Sequence, residues 1–112
     1  MTAREASVGI RRFLRGRGDS IDYDWFERAG DAGREALFHA LSLRSTPKRA
    51  RLDIKSLLTI FYFDADTQRR LEDYVASQPD KRVRAIDERV LRMLVQTRDQ
   101  RKQALRESTI KA

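Results

Sequence analysis

The chain has 112 residues, of which 40% are hydrophobic and 37% are charged, and its formal net charge is +7. This length suits one domain with a single core, and the regular spacing of Leu, Ile, Val and Phe excludes a chain that is disordered throughout. The absence of cysteine excludes disulfide bonds, thiolate catalysis and cysteine-based zinc sites.

The N-terminus is polar, with Arg4 and Glu5 ahead of the first apolar run. No stretch approaches the roughly 18 consecutive apolar residues that a membrane-spanning helix requires. We therefore expect a soluble, cytoplasmic protein that carries no export signal and does not associate with a membrane.

Charge alternates along the chain in five blocks. Residues 1–17 (+4), 41–55 (+4) and 81–112 (+6) are basic, whereas residues 18–40 (−4) and 56–80 (−3) are acidic. The acidic blocks can pair with neighbouring basic ones, so only the uncompensated cations need a partner. A strongly basic chain of this length is typical of proteins that bind polyanions such as nucleic acid.

Residues 1–17 mix apolar side chains with arginines and predict a short basic amphipathic helix that ends near Gly16. This segment has two interpretations. It is either an N-terminal arm that packs Phe13 on the core, or an arginine arm that orders on a phosphate backbone. The glycines that follow predict a turn, with Asp19 or Ser20 available to cap the next helix.

From Asp24 to Leu43 the apolar residues recur at three- and four-residue steps, which predicts a helix. Gly30 and Gly33 each weaken that helix by about 1 kcal/mol relative to alanine. They indicate a break or a close helix crossing near residues 30 to 33.

The most apolar stretch is Leu57–Phe63, and it must lie in the interior. Ser45-Thr46-Pro47 is a helix start signal, with a hydroxyl at the cap position and proline in the first turn. The apolar stripe that begins at Ala50 favours a helix through residue 61. The β-branched and aromatic residues of the run leave a short strand at 57–63 as the alternative.

After this run, Asp64 or Asp66 is expected to cap a helix whose apolar face is Leu71, Tyr74 and Val75. Pro79 stops that helix, and Asp80 restarts the chain. The next helix has an apolar stripe, formed by Val83, Ile86, Val90, Leu91 and Leu94. The stripe fades after Val95, so residues 96–112 are expected to form a basic, solvated helical extension.

These elements predict a mainly α protein, with four to five helices in one compact domain over residues 1–112. Residues 59–63, if they formed a strand, would with the two following helices resemble the ribbon-helix-helix repressor unit, whose paired strands enter the DNA major groove. The resemblance covers about a third of the chain. We do not adopt it, because residues 60–63 leave neither strand face polar and the helix junction, Gln78-Pro79-Asp80, lacks the usual glycine.

The residue types that carry most enzyme chemistry are scarce. His39 is the only histidine, it lies beside Phe38 within a predicted helix, and there is no cysteine with which it could pair. No glycine loop of the phosphate-binding type is present, and the neighbouring carboxylates lie among arginines with which they can form salt bridges. We expect neither an enzyme nor a bound metal or other cofactor.

Two functions remain. The first is a nucleic-acid-binding protein, either a regulator or a structural subunit of a nucleoprotein particle, that contacts DNA or RNA phosphates through its basic runs. The residues expected to do so are Arg11, Arg12, Arg15, Lys48, Arg49, Arg51, Lys55, Lys81, Arg82, Arg84, Arg89 and Arg92, within basic surfaces at 48–55 and 81–111. The second is a protein-binding module or inhibitor whose charged helical surfaces meet a partner protein or a second copy of the chain.

Overall fold

The computed structural model describes the backbone of residues 1–16 and 23–111, and the side chains of 1–16 and 23–107. Within those ranges it contains six helices and no strand. The helices are α1 (Ala3–Leu14), α2 (Tyr23–Ser42), α3 (Lys48–Phe61), α4 (Ala65–Ala76), α5 (Lys81–Gln96) and α6 (Arg98–Lys111). The mainly α prediction is confirmed. The turn and helix cap predicted around residues 16 to 20 extend beyond the described part of the chain.

The predicted number of helices was too low, because the chain turns at Thr97 and begins a new helix. Thr97 has φ −101° and ψ 8°, which ends α5, and Arg98 starts α6. The segment expected to be a solvated extension is this sixth helix. It packs against α3 on one side, where Arg101 and Leu105 are half-buried, and faces solvent on the other.

The central apolar run is helical and lies in the core. Residues 57–61 belong to α3, and Leu58 and Thr59 are fully buried. The alternative of a strand at 57–63 is therefore wrong. The resemblance to the ribbon-helix-helix unit required that strand, so it does not hold. The helical stripe that begins at Ala50 decides this outcome, because it continues through the β-prone residues and places them against α2 and α6.

The glycines of α2 produce both features that the sequence predicted there. Gly30 has φ 54° and ψ −137°, a backbone conformation that residues with a side chain rarely adopt, and α2 kinks at this point. Gly33 lies beneath the Tyr62 hydroxyl, which donates a hydrogen bond of 3.0 Å to the Phe26 carbonyl. A Cβ at position 33 would collide with that hydroxyl, so glycine permits the close approach of the residues after α3.

The cap predicted at Asp64 or Asp66 is present at Asp64, and Asp80 caps the helix that it begins. The Asp64 side chain accepts a hydrogen bond of 2.7 Å from the Thr67 amide, and Asp80 accepts one of 2.8 Å from the Arg82 amide. The hydroxyl cap predicted for α3 is not present. Pro47 occupies that position and makes no side-chain cap, because Thr46 instead donates its hydroxyl to the Ala40 carbonyl at 2.6 Å.

Helix α1 docks on α2, and this contact brings the N-terminal segment onto the core. Ala6 and Ile10 are buried, and Phe13 packs against the core. Gly9 meets the Trp25 ring, where a Cβ would lie 2.6 Å from Cζ2. The apolar side of α1 is therefore fully used, and its arginines lie on the opposite side.

Helix α5 uses only part of its predicted apolar stripe for the core. Leu91 and Leu94 are buried, whereas Val83 and Ile86 are 38% and 59% exposed. Val83 and Ile86 of the predicted stripe lie outside the core, because α5 crosses α3 with Asp87 facing Lys55. In the described ranges, no helix is both long and apolar enough to cross a bilayer.

Candidate nucleic-acid interface

A groove between the start of α3 and the first half of α5 gathers several of the predicted cations. It has a cavity volume of about 570 Å³. Its lining consists of four cations, one carboxylate and a mixed remainder: Arg44, Lys48, Arg51, Lys55, Asp87, Tyr74, Gln78, Val83 and Ile86. The folding of α3 against α5 therefore brings Lys48, Arg51 and Lys55 together, as the basic run at 48–55 predicted. The three side chains differ, however, in whether they are free to contact a partner or are bonded within the fold.

Arg51 is committed to the fold. Its guanidinium donates hydrogen bonds to the carbonyls of Leu41 (2.8 Å), Leu43 (2.6 Å) and Thr46 (3.0 Å) and to the Tyr74 hydroxyl (2.9 Å). The carbonyls at the end of α2 lack helical partners, so a guanidinium placed there satisfies them and also joins α2 to α4. The structure thus gives Arg51 a structural role that uses the donors predicted to contact phosphate.

Lys55 is also turned inward. It is 5% exposed, and its Nζ lies 3.5 Å from an Asp87 oxygen on α5. A buried lysine needs such a partner, because an unpaired charge in the interior is costly. This ion pair locks α3 to α5 at the floor of the groove and neutralises its one carboxylate.

The exposed cations concentrate at the two helix starts that border the groove. Lys48 and Arg49 occupy the first turn of α3, and Lys81 and Arg82 occupy the first turn of α5; all four are exposed. Together with the exposed Arg44, we call these residues the cationic surface. Arg44 and Lys48 line the groove, and Arg82 adjoins the lining residue Val83. Among the described side chains, none of the five forms an ion pair.

The other three arginines of α5 that were predicted to bind nucleic acid lie in three different surroundings. Arg84 is half-buried, and its Nε donates a hydrogen bond of 3.1 Å to the Gln78 carbonyl. Arg89 is exposed on the outer side of the helix. Arg92 lines a different groove, between α4 and α5, whose rim carries the carboxylates Glu72 and Glu88.

The three N-terminal arginines predicted to bind nucleic acid are all exposed and do not share one groove. Arg11 lines a cleft with Leu43, the residue before Arg44, so it approaches the cationic surface from the side. Arg12 lines another cleft, with Arg4 and Trp25. Arg15 follows the last turn of α1. The last residue of the predicted basic surface at 81–111, Lys111, has a side chain outside the described part of the structure.

Some acidic residues of α2 and α4 are paired with arginines of the same two helices. Glu35 accepts hydrogen bonds of 2.7 and 2.9 Å from both terminal nitrogens of Arg70, and these bonds lower the pKa of the Glu35 carboxyl and raise the pKa of the guanidinium. Arg34 lies within 4 Å of carboxylates on both helices, among them Asp64 and Asp66. Arg34 and Arg70 are therefore committed to ion pairs within the fold.

Sequence reasoning missed Arg44. It precedes the helix start signal by one residue and was not counted with the basic run, although its position beside Ser45-Thr46-Pro47 marks it as a connection residue that no helix buries. Sequence reasoning also missed the apolar wall of the groove, since it placed Val83 and Ile86 only in the apolar stripe of a helix.

No grouping of three or more His, Asp or Glu side chains suited to a metal ion occurs within the described residues. Comparison of the chain with protein-family models, curated proteins and solved structures finds no match. The function must therefore be argued from the geometry above.

Proposed function

We propose that this protein binds nucleic acid without catalysing a reaction on it, through the cationic surface at the starts of α3 and α5. The observation that carries the proposal is the charge of these two first turns. Neither contains an acidic residue, and each contains two exposed cations. The positive end of a helix macrodipole disfavours cations by a few tenths of a kcal/mol each. At α3 no carboxylate caps the helix, so the cations there destabilise the free protein slightly and suit a bound anion. At α5 the Asp80 carboxylate already accepts hydrogen bonds from the first amides, so the proposal depends there on the exposed charges of Lys81 and Arg82 alone.

The start of α3 adds hydrogen-bond donors to this charge. Pro47 supplies no side-chain acceptor, so the first amides of α3 are left for solvent or for an anion. Phosphate oxygens are the anions that helix starts and guanidinium groups bind best. Arg44, Lys48 and Arg49 would therefore meet one stretch of phosphate backbone, and Lys81 with Arg82 the next.

Binding of this kind is driven by the release of counterions, which makes it sensitive to salt. If the cationic surface neutralises about five phosphates, a fourfold rise in salt concentration lowers the affinity by roughly 500-fold for duplex DNA. The described contacts include no feature that reads bases, so we expect phosphate contacts to dominate and sequence preference to be weak.

The experiment is a titration of fluorescein-labelled duplex DNA and single-stranded RNA, followed by anisotropy at about 50 and 200 mM salt. Binding should be strong at the lower salt and fall steeply at the higher. The double variant Lys48→Glu/Arg49→Glu should bind at least about tenfold more weakly. Absence of binding to both nucleic acids at low salt would refute the proposal.

A matched control separates the local surface from net charge. The variant Arg4→Glu/Arg28→Glu changes the net charge by the same amount at exposed positions on α1 and α2. It should bind more tightly than Lys48→Glu/Arg49→Glu. Equal losses in the two variants would mean that only the total charge matters and that the helix starts form no site.

A second candidate function is favoured by a different observation. Val83, Ile86 and Met93 on α5 are 38%, 59% and 49% exposed, and apolar side chains gain little from contact with phosphate. Large apolar residues left in solvent along one helix are typical of surfaces that bind other proteins. We therefore propose, as the alternative, a protein-binding module that uses the outer side of α5.

A further inference from the structure

The outer side of α5 carries a continuous apolar stripe that the fold leaves uncovered. Val83, Ile86, Val90 and Met93 follow one another at steps of three, four and three residues, which places them on one side of the helix. Three of them are at least 38% exposed and Val90 is half-buried. We call these four residues the α5 stripe. The core of the protein uses Leu91 and Leu94, on a different side of the same helix.

Cations flank the α5 stripe on both edges. Arg82 and Arg89 are exposed and lie one turn from Ile86 and Met93 along the helix. Across the groove from Val83 and Ile86 stand Arg44 and Lys48. The two carboxylates of α5 do not balance these charges, because Asp87 is paired with Lys55 and Glu88 lines the separate groove between α4 and α5.

We infer that the α5 stripe receives an amphipathic helix of a partner protein, apolar on the side that meets the stripe and acidic along its edges. The stripe spans eleven residues of α5, a rise of about 15 Å, which three turns of a partner helix would cover. Its apolar side chains would fill the groove beside Ile86, and its carboxylates would pair with Arg82, Arg89 and Lys48. This inference rests on the second candidate function and does not require that the protein bind nucleic acid.

Charge and shape favour this occupant over three others. A second copy of α5 would bring the arginine-flanked edges of two identical stripes together, and like charges repel. A bilayer is flat, whereas Val83 and Ile86 form one wall of a groove. A nucleic acid would satisfy the arginines but leave Ile86 and Met93 facing phosphates and sugars.

The test uses a fluorescein-labelled synthetic peptide of about 20 residues, with leucines on one helical side and glutamates along its edges. One control peptide has the same composition in scrambled order, and another has lysine in place of glutamate. The protein variants are Ile86→Gln/Met93→Gln and Arg82→Glu/Arg89→Glu. The matched control is Leu43→Gln, an exposed apolar residue outside the stripe. Circular dichroism checks that each variant keeps its helices.

The acidic amphipathic peptide should bind the unaltered protein and Leu43→Gln equally, and both double variants at least about tenfold more weakly. The control peptides should bind at least tenfold more weakly as well. The inference is overturned if the acidic peptide binds no tighter than about 1 mM, or if it binds Ile86→Gln/Met93→Gln as well as the unaltered protein.

Three further outcomes would assign the stripe to another occupant and so overturn the inference. The first is a dimer in light scattering that Ile86→Gln/Met93→Gln makes monomeric. The second is anionic vesicle binding that the same variant loses. The third is nucleic-acid affinity that this variant loses while its peptide affinity is unchanged. The nucleic-acid proposal fails if the unaltered protein binds neither DNA nor RNA, and the present inference fails if the unaltered protein does not bind the acidic peptide, so the two proposals fail separately although Lys48 takes part in both.

Discussion

At the scale of single residues, the direction of an arginine side chain decides whether it serves the fold or a partner. Arg49 and Arg51 are two residues apart in α3, and the basic run gives no sign that they differ. Arg51 bonds four oxygens of the protein, whereas Arg49 is exposed and makes no described hydrogen bond. The difference arises because residues two apart on a helix point in nearly opposite directions.

This contrast predicts opposite effects of two alanine substitutions. Arg51→Ala removes the guanidinium donor from the carbonyls of Leu41, Leu43 and Thr46 and should lower the free energy of unfolding by about 2 to 3 kcal/mol. Arg49→Ala should change it by less than about 0.5 kcal/mol and weaken nucleic-acid binding instead. Urea unfolding of both variants measures the first effect and anisotropy the second. Equal stabilities of the two variants would contradict the structural role of Arg51.

Tyr62 gives a second residue-scale prediction, which concerns pH. Burial, and to a lesser extent the nearby carboxylates of Glu27 and Asp31, raise the pKa of Tyr62 from 10.0 to about 12. The folded state therefore holds this proton more tightly than the unfolded state. Its contribution to stability is complete below pH 10 and is lost as the pH rises through 12.

The variant Tyr62→Phe loses the hydrogen bond to the Phe26 carbonyl and should be less stable by about 1 kcal/mol near neutral pH. Between pH 10 and 12 the unaltered protein alone loses the tyrosine contribution, so the difference in stability between the two proteins should shrink. Chemical unfolding at pH 8 and pH 11 measures this. A constant or growing difference would show that the Tyr62 hydroxyl does not titrate in this way.

At the scale of elements, the half-buried Arg101 anchors α6 to the bundle. The Arg101 guanidinium donates to the Ser56 hydroxyl and carbonyl, to Thr59 Oγ1 at 3.0 Å and to the Leu94 carbonyl, and burial lowers its pKa. The guanidinium groups of Arg98 and Arg106 also lie over the Phe63 and Tyr23 rings, 4.9 and 5.8 Å from the ring centres. The hydrogen bonds of Arg101 thus join α6 to α3 and α5, and the ring contacts add weaker support.

Replacement of Arg101 by alanine should release α6 without unfolding the other helices. Hydrogen exchange of the amides at residues 98–107 should accelerate by about tenfold or more, while the amides of α3 keep most of their protection. Lys102→Ala, next along the helix, is the control and should leave exchange in α6 nearly unchanged. Exchange that stays slow in Arg101→Ala would mean that apolar packing and the ring contacts suffice to hold the helix.

At the scale of the whole molecule, net charge opposes compactness. The chain carries +7, and some of its carboxylates, among them Glu35, Asp64 and Asp66, are paired with Arg34, Arg69 and Arg70. The remaining exposed cations repel one another, and the fold, with a radius of gyration of 13.8 Å, holds them close together. Screening or binding of anions should therefore stabilise the protein.

We expect the melting temperature to rise by a few degrees between about 20 and 200 mM NaCl, because screening of the net charge outweighs the small loss from surface ion pairs. A polyanion such as heparin should raise it further at equal ionic strength, since a ligand at about 100 times its Kd adds about 2.7 kcal/mol. In Lys48→Glu/Arg49→Glu the heparin effect should diminish. A melting temperature that falls with salt would indicate that internal ion pairs dominate.

Much of the fold follows from the sequence because its signals are local. Apolar spacing predicted the helices, Asp64 was one of two residues predicted to cap α4, and Gly30 with Gly33 predicted the break in α2. Each depends on a residue and its neighbours within a turn or two, where the backbone chemistry is the same in any surroundings. The continuous stripe of α3 likewise favoured a helix over the alternative of a strand at 57–63.

The candidate site depended on contacts between residues distant in the chain. The sequence marks Arg51, Lys55 and Arg84 as cations, but only the crossing of α3, α4 and α5 turns them toward carbonyls and a carboxylate and leaves Arg44, Lys48 and Arg49 facing solvent. In the same way, α5 has more apolar surface than one contact can cover. The angle at which it packs on α3 buried Leu91 and left Ile86 exposed. Composition and periodicity thus determined a basic helical protein, and tertiary packing alone decided which charges and apolar side chains remain available to a partner.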